Sequence, residues 1–185
     1  MYHIKNDKRA QASSELICAG LLACMKEKPF ARITITDVQH ASTVSRSTFY
    51  RNFDCLEDVL ALLCDRGFQA VFTAYNALPA AQRGSLAKAV FQYWFRNSAV
   101  LEALVQIHRT DILFDSLRRS SGLIEALQPL ADDPARFDYF VAIITSAMIG
   151  VLTVWVEHGK TETEDQMVQK LTSAFIEMAI LELPG

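Results

Sequence analysis

Turn-forming residues are scarce in this chain, with seven Gly and five Pro among 185 residues. So few breakers suit long helices better than many short strands joined by tight turns. There is no Gly-rich loop of the kind that cradles phosphates. Cysteine is limited to Cys18, Cys24, Cys55 and Cys64, whose spacings of six, thirty-one and nine match no zinc pattern. The first residues lack the charged-then-apolar order of a signal peptide. The expectation is a cytoplasmic protein whose thiols stay reduced and act as small hydrophobes. Net charge is only −3, so the chain as a whole does not advertise a polyanionic partner.

What is present is more telling. Apolar residues make up 51% of the chain, enough for a substantial core. Charge is unevenly spread: residues 1–53 hold eight Lys/Arg against four Asp/Glu, whereas residues 54–185 hold ten against seventeen. A basic end and an acidic body suit a protein that docks one end on phosphates and keeps the rest away. The run Tyr139 to Trp155 has no charged residue. Its length lies at the lower edge of a membrane span, and it contains Thr145, Ser146, Gly150 and Thr153. A helix buried all round in an oligomeric helical protein is the reading adopted, with no membrane partner.

The pattern along the chain is helical throughout, about nine helices, giving an all-α fold. Residues 1–53 form an N-terminal three-helix unit, and residues 54–185 a larger helical ligand-binding and dimerisation unit. A helix from about 55 to 77 bridges the two. Lys8 to Lys28 is the first helix. Thr34 caps the second, about Ile35 to Ser42, with Asp37 in the capping-box position and Ile35, Val38 and Ala41 facing inward. Ser42-Thr43-Val44 is the turn, Ser45 the next cap, and Arg46 to Asn52 the third helix, anchored by Phe49 and Phe53. Asp54 and Glu57 repeat the capping signature at the head of the bridge. A helix over Ser85–Arg109 is expected to break near Asn97-Ser98, the next starts at Thr110 or Asp111, and Ala131-Asp132-Asp133-Pro134 is a turn. The final helix, Thr163 to Leu183, has Met167, Leu171, Ala174, Phe175, Met178 and Ile180 on its apolar side. The last two helices carry more apolar surface than one small body needs, which suits a homodimer built through them.

Two helices joined by a tight turn, the second rich in Arg, Ser, Thr and Tyr, describe a helix-turn-helix. Arg46 and Ser47 occupy the first turn of the recognition helix, which meets base edges, with Tyr50 and Arg51 a turn further on. Thr34 and Thr36, at the head of the preceding helix, offer short donors to a phosphate. Lys8, Arg9, Lys28 and Arg32 add salt-sensitive attraction. In the body, Phe91, Trp94, Phe114, Met148 and Trp155 are the candidate lining of a ligand pocket. His108, Asp111 and Asp115 lie at i, i+3 and i+7, but they straddle a helix boundary. No catalytic residue, metal or cofactor is expected.

The run TITDVQHASTVSRSTFYRNFDCLEDVL, Thr34 to Leu60, resembles the DNA-binding domain of the TetR family of transcriptional regulators. Thr34, Ile35 and Val38 fit the family's first element, Val44 and Ser45 its second, and Thr48, Phe49, Tyr50 and Phe53 its third. Glu57 follows at the matching place. Thr43 stands where the family has a turn glycine, and Leu56 stands where it often has a phosphate-binding lysine. The resemblance implies that Arg46, Ser47 and Thr48 face the groove, and that the protein is a homodimeric repressor released from a palindromic double-stranded operator by a small-molecule effector. The two departures leave an alternative open: a protein-binding coregulator that keeps the fold with weakened DNA binding.

Overall fold

The computed structural model describes residues 2–124, 127 and 132–181. Among the described residues there are nine α-helices and no strand. They are α1 (Lys8–Glu27), α2 (Ile35–Ser42), α3 (Arg46–Asn52), α4 (Leu56–Ala77) and α5 (Leu86–Arg96). The others are α6 (Ser98–Gln106), α7 (Asp111–Ser120), α8 (Pro134–Glu157) and α9 (Glu164–Leu181). Ala131 and residues 182–183, parts of the expected turn and final helix, lie outside the described residues.

Local chemistry starts most of these helices. The Asp7 carboxylate accepts the Ala10 N–H at 2.8 Å and caps α1. Pro29 ends the first turn-and-helix segment and delivers Phe30 into the core. Thr34 and Asp37 form a reciprocal capping box on α2, and the Ser45 hydroxyl accepts the Thr48 N–H on α3. Asp133 caps α8, with Pro134 in the first helical position, where its missing N–H costs nothing. The break between α5 and α6 falls at Asn97, whose side-chain amide donates to the Tyr93 carbonyl at 2.8 Å.

Helix α1 packs on α2, α3 and α4. Its approach to α2 is close: a Cβ added at Gly20 would stand 2.8 Å from the Ser42 Cβ. Only glycine leaves room there, and Ser42 fills it. The sequence reading put Ala41 on the inner side of α2; instead Ala41 is exposed and Ser42 is buried. The head of α4 also differs. Its N-cap is Cys55, which makes no side-chain capping bond, and the Asp58 carboxylate accepts the Asp54 N–H at 2.9 Å. The expected Asp54–Glu57 box therefore gives way to a bond one residue further along.

From there α4 runs into the body, where it packs on α5, α6 and α7. One apolar core extends from Ile17 and Leu21 through Phe49, Phe53, Phe68 and Phe72 to Trp94, Leu104, Leu113 and Leu152. The N-terminal arm is strapped to this frame. His3 N–H donates to the Asn52 carbonyl at 3.0 Å, and the Tyr2 hydroxyl donates to Asp65 on α4. Ser116 and Arg119 of α7 donate to the same carboxylate. Burial, then the Asp65 bond, pushes the Tyr2 phenol up to about 12.

Helix α8 is long and apolar enough to cross a membrane by length and composition. Val141, Thr145, Met148, Ile149, Leu152 and Trp155 are buried, and α6, α7 and α9 pack against it. A single chain covers only that side, so Tyr139, Ile143 and Val154 stand exposed, Tyr139 at 75%. Helix α9 behaves alike: Met167 and Leu171 are buried, while Ile176, Met178 and Ile180 are exposed.

Candidate nucleic-acid interface

The face of α3 follows from two anchors four residues apart. Phe49 and Phe53 are 1% and 0% exposed, with ring centroids 5.7 Å apart. One turn of helix separates them, so the residues between point the other way. Arg46, Ser47, Tyr50 and Arg51 are exposed, and Thr48 is half-buried. Tyr50 keeps 41% of its surface in solvent while its ring meets Phe49 edge-on. The Arg46 guanidinium lies 5.5 Å from the centre of the Tyr50 ring, which holds both side chains upright on one strip.

Hydroxyl bonds stiffen the start of α3. Ser45 Oγ donates to Thr48 Oγ1 at 3.0 Å and lies 3.1 Å from Ser47 Oγ. Arg51 reaches back to Thr48 Oγ1 at 3.4 Å. Asn52, buried, donates to the Thr48 carbonyl and seats the end of the helix. These bonds leave the guanidinium groups of Arg46 and Arg51 facing solvent without a carboxylate partner among the described residues.

Thr34 and Thr36 are exposed at the head of α2. The Thr34 hydroxyl donates to Asp37, and its oxygen accepts the Asp37 N–H. Lys28, read from sequence as a phosphate-attracting charge, forms a 2.8 Å ion pair with Asp37 instead. That contact, with the Thr34 hydroxyl and N–H bonds, holds the Asp37 carboxyl well below the usual carboxylate range. No sequence spacing announces a pair nine residues apart across a turn. Leu56 is buried in the core, so its position offers no charge to a backbone. Thr43 adopts the left-handed conformation, φ 57° and ψ 17°, that the turn demands.

In the body, the five candidate pocket residues do not converge. Phe91 and Trp94 are sealed in the core, and Trp94 Nε1 has no hydrogen-bond partner among the described residues. Phe114 is half-buried on α7. Trp155 stacks on Phe95 at 3.9 Å, donates to the Glu162 carbonyl, and lines an apolar groove of about 430 Å³ between α8 and α9. Met148 lines a separate cavity of about 150 Å³ between α4, α5, α7 and α8. His108 sits exposed at φ 56° before α7, and Asp111 is held by Arg109 at 2.9 Å. Among the described residues no His, Cys, Asp and Glu side chains gather as a metal site.

Residues 85–177, about half of the chain, match the family TetR_C_8, described as the transcriptional regulator C-terminal region. No curated protein matches the sequence. Among solved structures, Lin0861 from Listeria innocua has a similar fold at 16% identity and TM-score 0.74, over 95% of this chain and 96% of that one. A TetR transcriptional regulator from Streptococcus agalactiae shares the fold at 18% identity and TM-score 0.59, over 91% and 96% of the two chains. A proposed TetR-family regulator from Syntrophomonas wolfei does so at 17% identity and TM-score 0.64, over 94% and 97%. With a helix-turn-helix at one end and the family's regulatory region at the other, the chain belongs to the TetR family of transcriptional regulators.

Proposed function

We propose that the chain is a cytoplasmic homodimeric repressor that occupies a palindromic operator and leaves it when a small molecule binds the helical body. In this reading residues 1–53 read DNA, and residues 54–185 hold the effector and the dimer interface. The observation that carries it is the outward strip Arg46, Ser47, Tyr50 and Arg51 over the buried pair Phe49 and Phe53. Arg46, Ser47 and Thr48 face the groove, Tyr50 and Arg51 reach bases or backbone, and Thr34 and Thr36 meet phosphates. The exposed apolar side chains of α8 and α9 supply the surface for a symmetric four-helix contact. A dimer fixes the distance between two recognition helices, and half-sites one turn apart require about 34 Å. An effector lowers operator affinity only by binding the released form better than the bound one.

Binding to the protein's own promoter region, compared with scrambled DNA at physiological salt, tests the claim. Equal, weak affinity for both sinks specific recognition. A protein-binding coregulator is favoured by two observations: Leu56 is buried and Lys28 is neutralised by Asp37, which removes two phosphate contacts. A stoichiometric protein partner, with no preferred DNA, is the result that reading needs.

A further inference from the structure

Ahead of α1, residues 2–5 alternate in burial. Tyr2 and Ile4 are half-buried against the core, whereas His3 and Lys5 are exposed, the pattern of an extended segment laid on a surface. Its two polar anchors lie on different parts of the fold. The His3 N–H donates at 3.0 Å to the carbonyl of Asn52, the last residue of α3. The final carbonyls of a helix have no partner within it, and this bond supplies one from outside. The Tyr2 hydroxyl donates to Asp65, which lies nine residues beyond Leu56, where α4 starts. At 1.5 Å per residue that is roughly 14 Å along the helix. Ser116 and Arg119 of α7 donate to the same carboxylate, Arg119 at 2.8 Å, so its orientation is set from the body. The next residue, Arg66, holds α1 instead, through Ser14 at 3.1 Å and Glu15 at 3.1 Å. Helix α1 is thus tied to α4 without the arm, and the end of α3 is what the arm adds. A helix of seven residues needs such help, because it is too short to persist by its own bonds.

We propose that Tyr2 is a positioning residue for DNA reading. Acting through Asp65, it straps the arm across the end of α3 and fixes the seat from which Arg46, Tyr50 and Arg51 face a duplex. The strap makes no DNA contact of its own. It raises operator affinity because a helix already held in place has less freedom to lose on binding. The effect on operator affinity rests on the repressor reading above; the seating of α3 does not.

Two variants of the full chain cut the strap at opposite ends. Tyr2→Phe keeps the ring and removes the hydroxyl, and His3→Pro removes the amide hydrogen that Asn52 accepts. A hydrogen bond to a charged acceptor shifts an equilibrium by about tenfold. Amide exchange followed by NMR should therefore run about tenfold faster at His3 in Tyr2→Phe. It should also quicken in both variants at Phe53, whose N–H closes α3 on the Phe49 carbonyl at 2.9 Å. Ile107, bonded to the Ala103 carbonyl in the body, should exchange as before, which separates seating from general loosening. Operator affinity should fall about three- to tenfold in both variants, with its slope against salt unaltered. The assignment is overturned if Phe53 exchange is unchanged in both variants, or if Ile107 quickens alongside it. It is also overturned if affinity falls with a flatter salt slope, which would put the arm on phosphates. Specific binding that survives both variants undiminished removes the strap and leaves the repressor reading. A parent protein with no preference for its promoter region over scrambled DNA removes that reading, and the exchange rates alone then decide the strap.

Discussion

Replacing Thr43 with glycine should make the protein more stable. Thr43 sits at φ 57°, ψ 17°, where a β-branched side chain crowds its own backbone. Left-handed geometry costs a non-glycine residue about 1–2 kcal/mol. Glycine removes that strain but loses more chain entropy on folding, about 0.5–1 kcal/mol. Thr43 is exposed and makes no side-chain hydrogen bond among the described residues, so little packing is lost. The difference leaves Thr43→Gly more stable by roughly 0.5–1 kcal/mol, or about 1–4 °C in a domain of this size. Urea unfolding at fixed protein concentration measures it, since the stability of any oligomer depends on concentration. Because the backbone already holds the angle that glycine prefers, operator affinity should stay within about twofold. A destabilised variant, or one that loses operator binding while folded, would show that the threonine side chain itself sets the turn.

Other outcomes follow from the same geometry. Arg46→Ala should blunt discrimination between operator variants by about 1–3 kcal/mol, whereas Arg32→Ala should weaken binding to all DNA and flatten its salt dependence; binding titrations at several salt concentrations separate the two. Met178→Glu should shift the protein to monomer in sedimentation, because Met178 is exposed on α9. Met167→Glu instead places a charge in the core and should unfold the chain. Asp37, whose carboxyl is depressed by Lys28 and Thr34, contributes stability above the ordinary carboxylate range and loses it as pH falls through its lowered value. Its carboxyl NMR signal should remain that of the ionised form near pH 4, where an ordinary Asp is about half protonated; half-titration there would contradict the contacts with Lys28 and Thr34.

The helix-turn-helix was largely legible because its instructions are local. Thr34, Asp37 and Ser45 act on amides within three residues, and Phe49 and Phe53 define a face by spacing alone. Where partners lie far along the chain, the pattern failed. Ser42 rather than Ala41 turns inward because Gly20 on another helix leaves a gap for it. Met167 and Leu171 share an apolar stripe with Met178, and only the positions of α5 and α8 decide which end is covered. Asp65 carries no sequence signal at all, since its partners Tyr2, Ser116 and Arg119 lie 51 to 63 residues away. Pocket residues were the least readable: bulky aromatics fill cores and line cavities alike, and packing alone sorted Phe91 from Met148.

Both tryptophans of the chain, Trp94 and Trp155, lie in the helical body, the second stacked flat on Phe95 at 3.9 Å. The N-terminal helices α1 to α3 carry no tryptophan. Tryptophan emission is thus a built-in gauge of the body alone, and a change in it on adding operator DNA would report that docking at one end has been felt at the other.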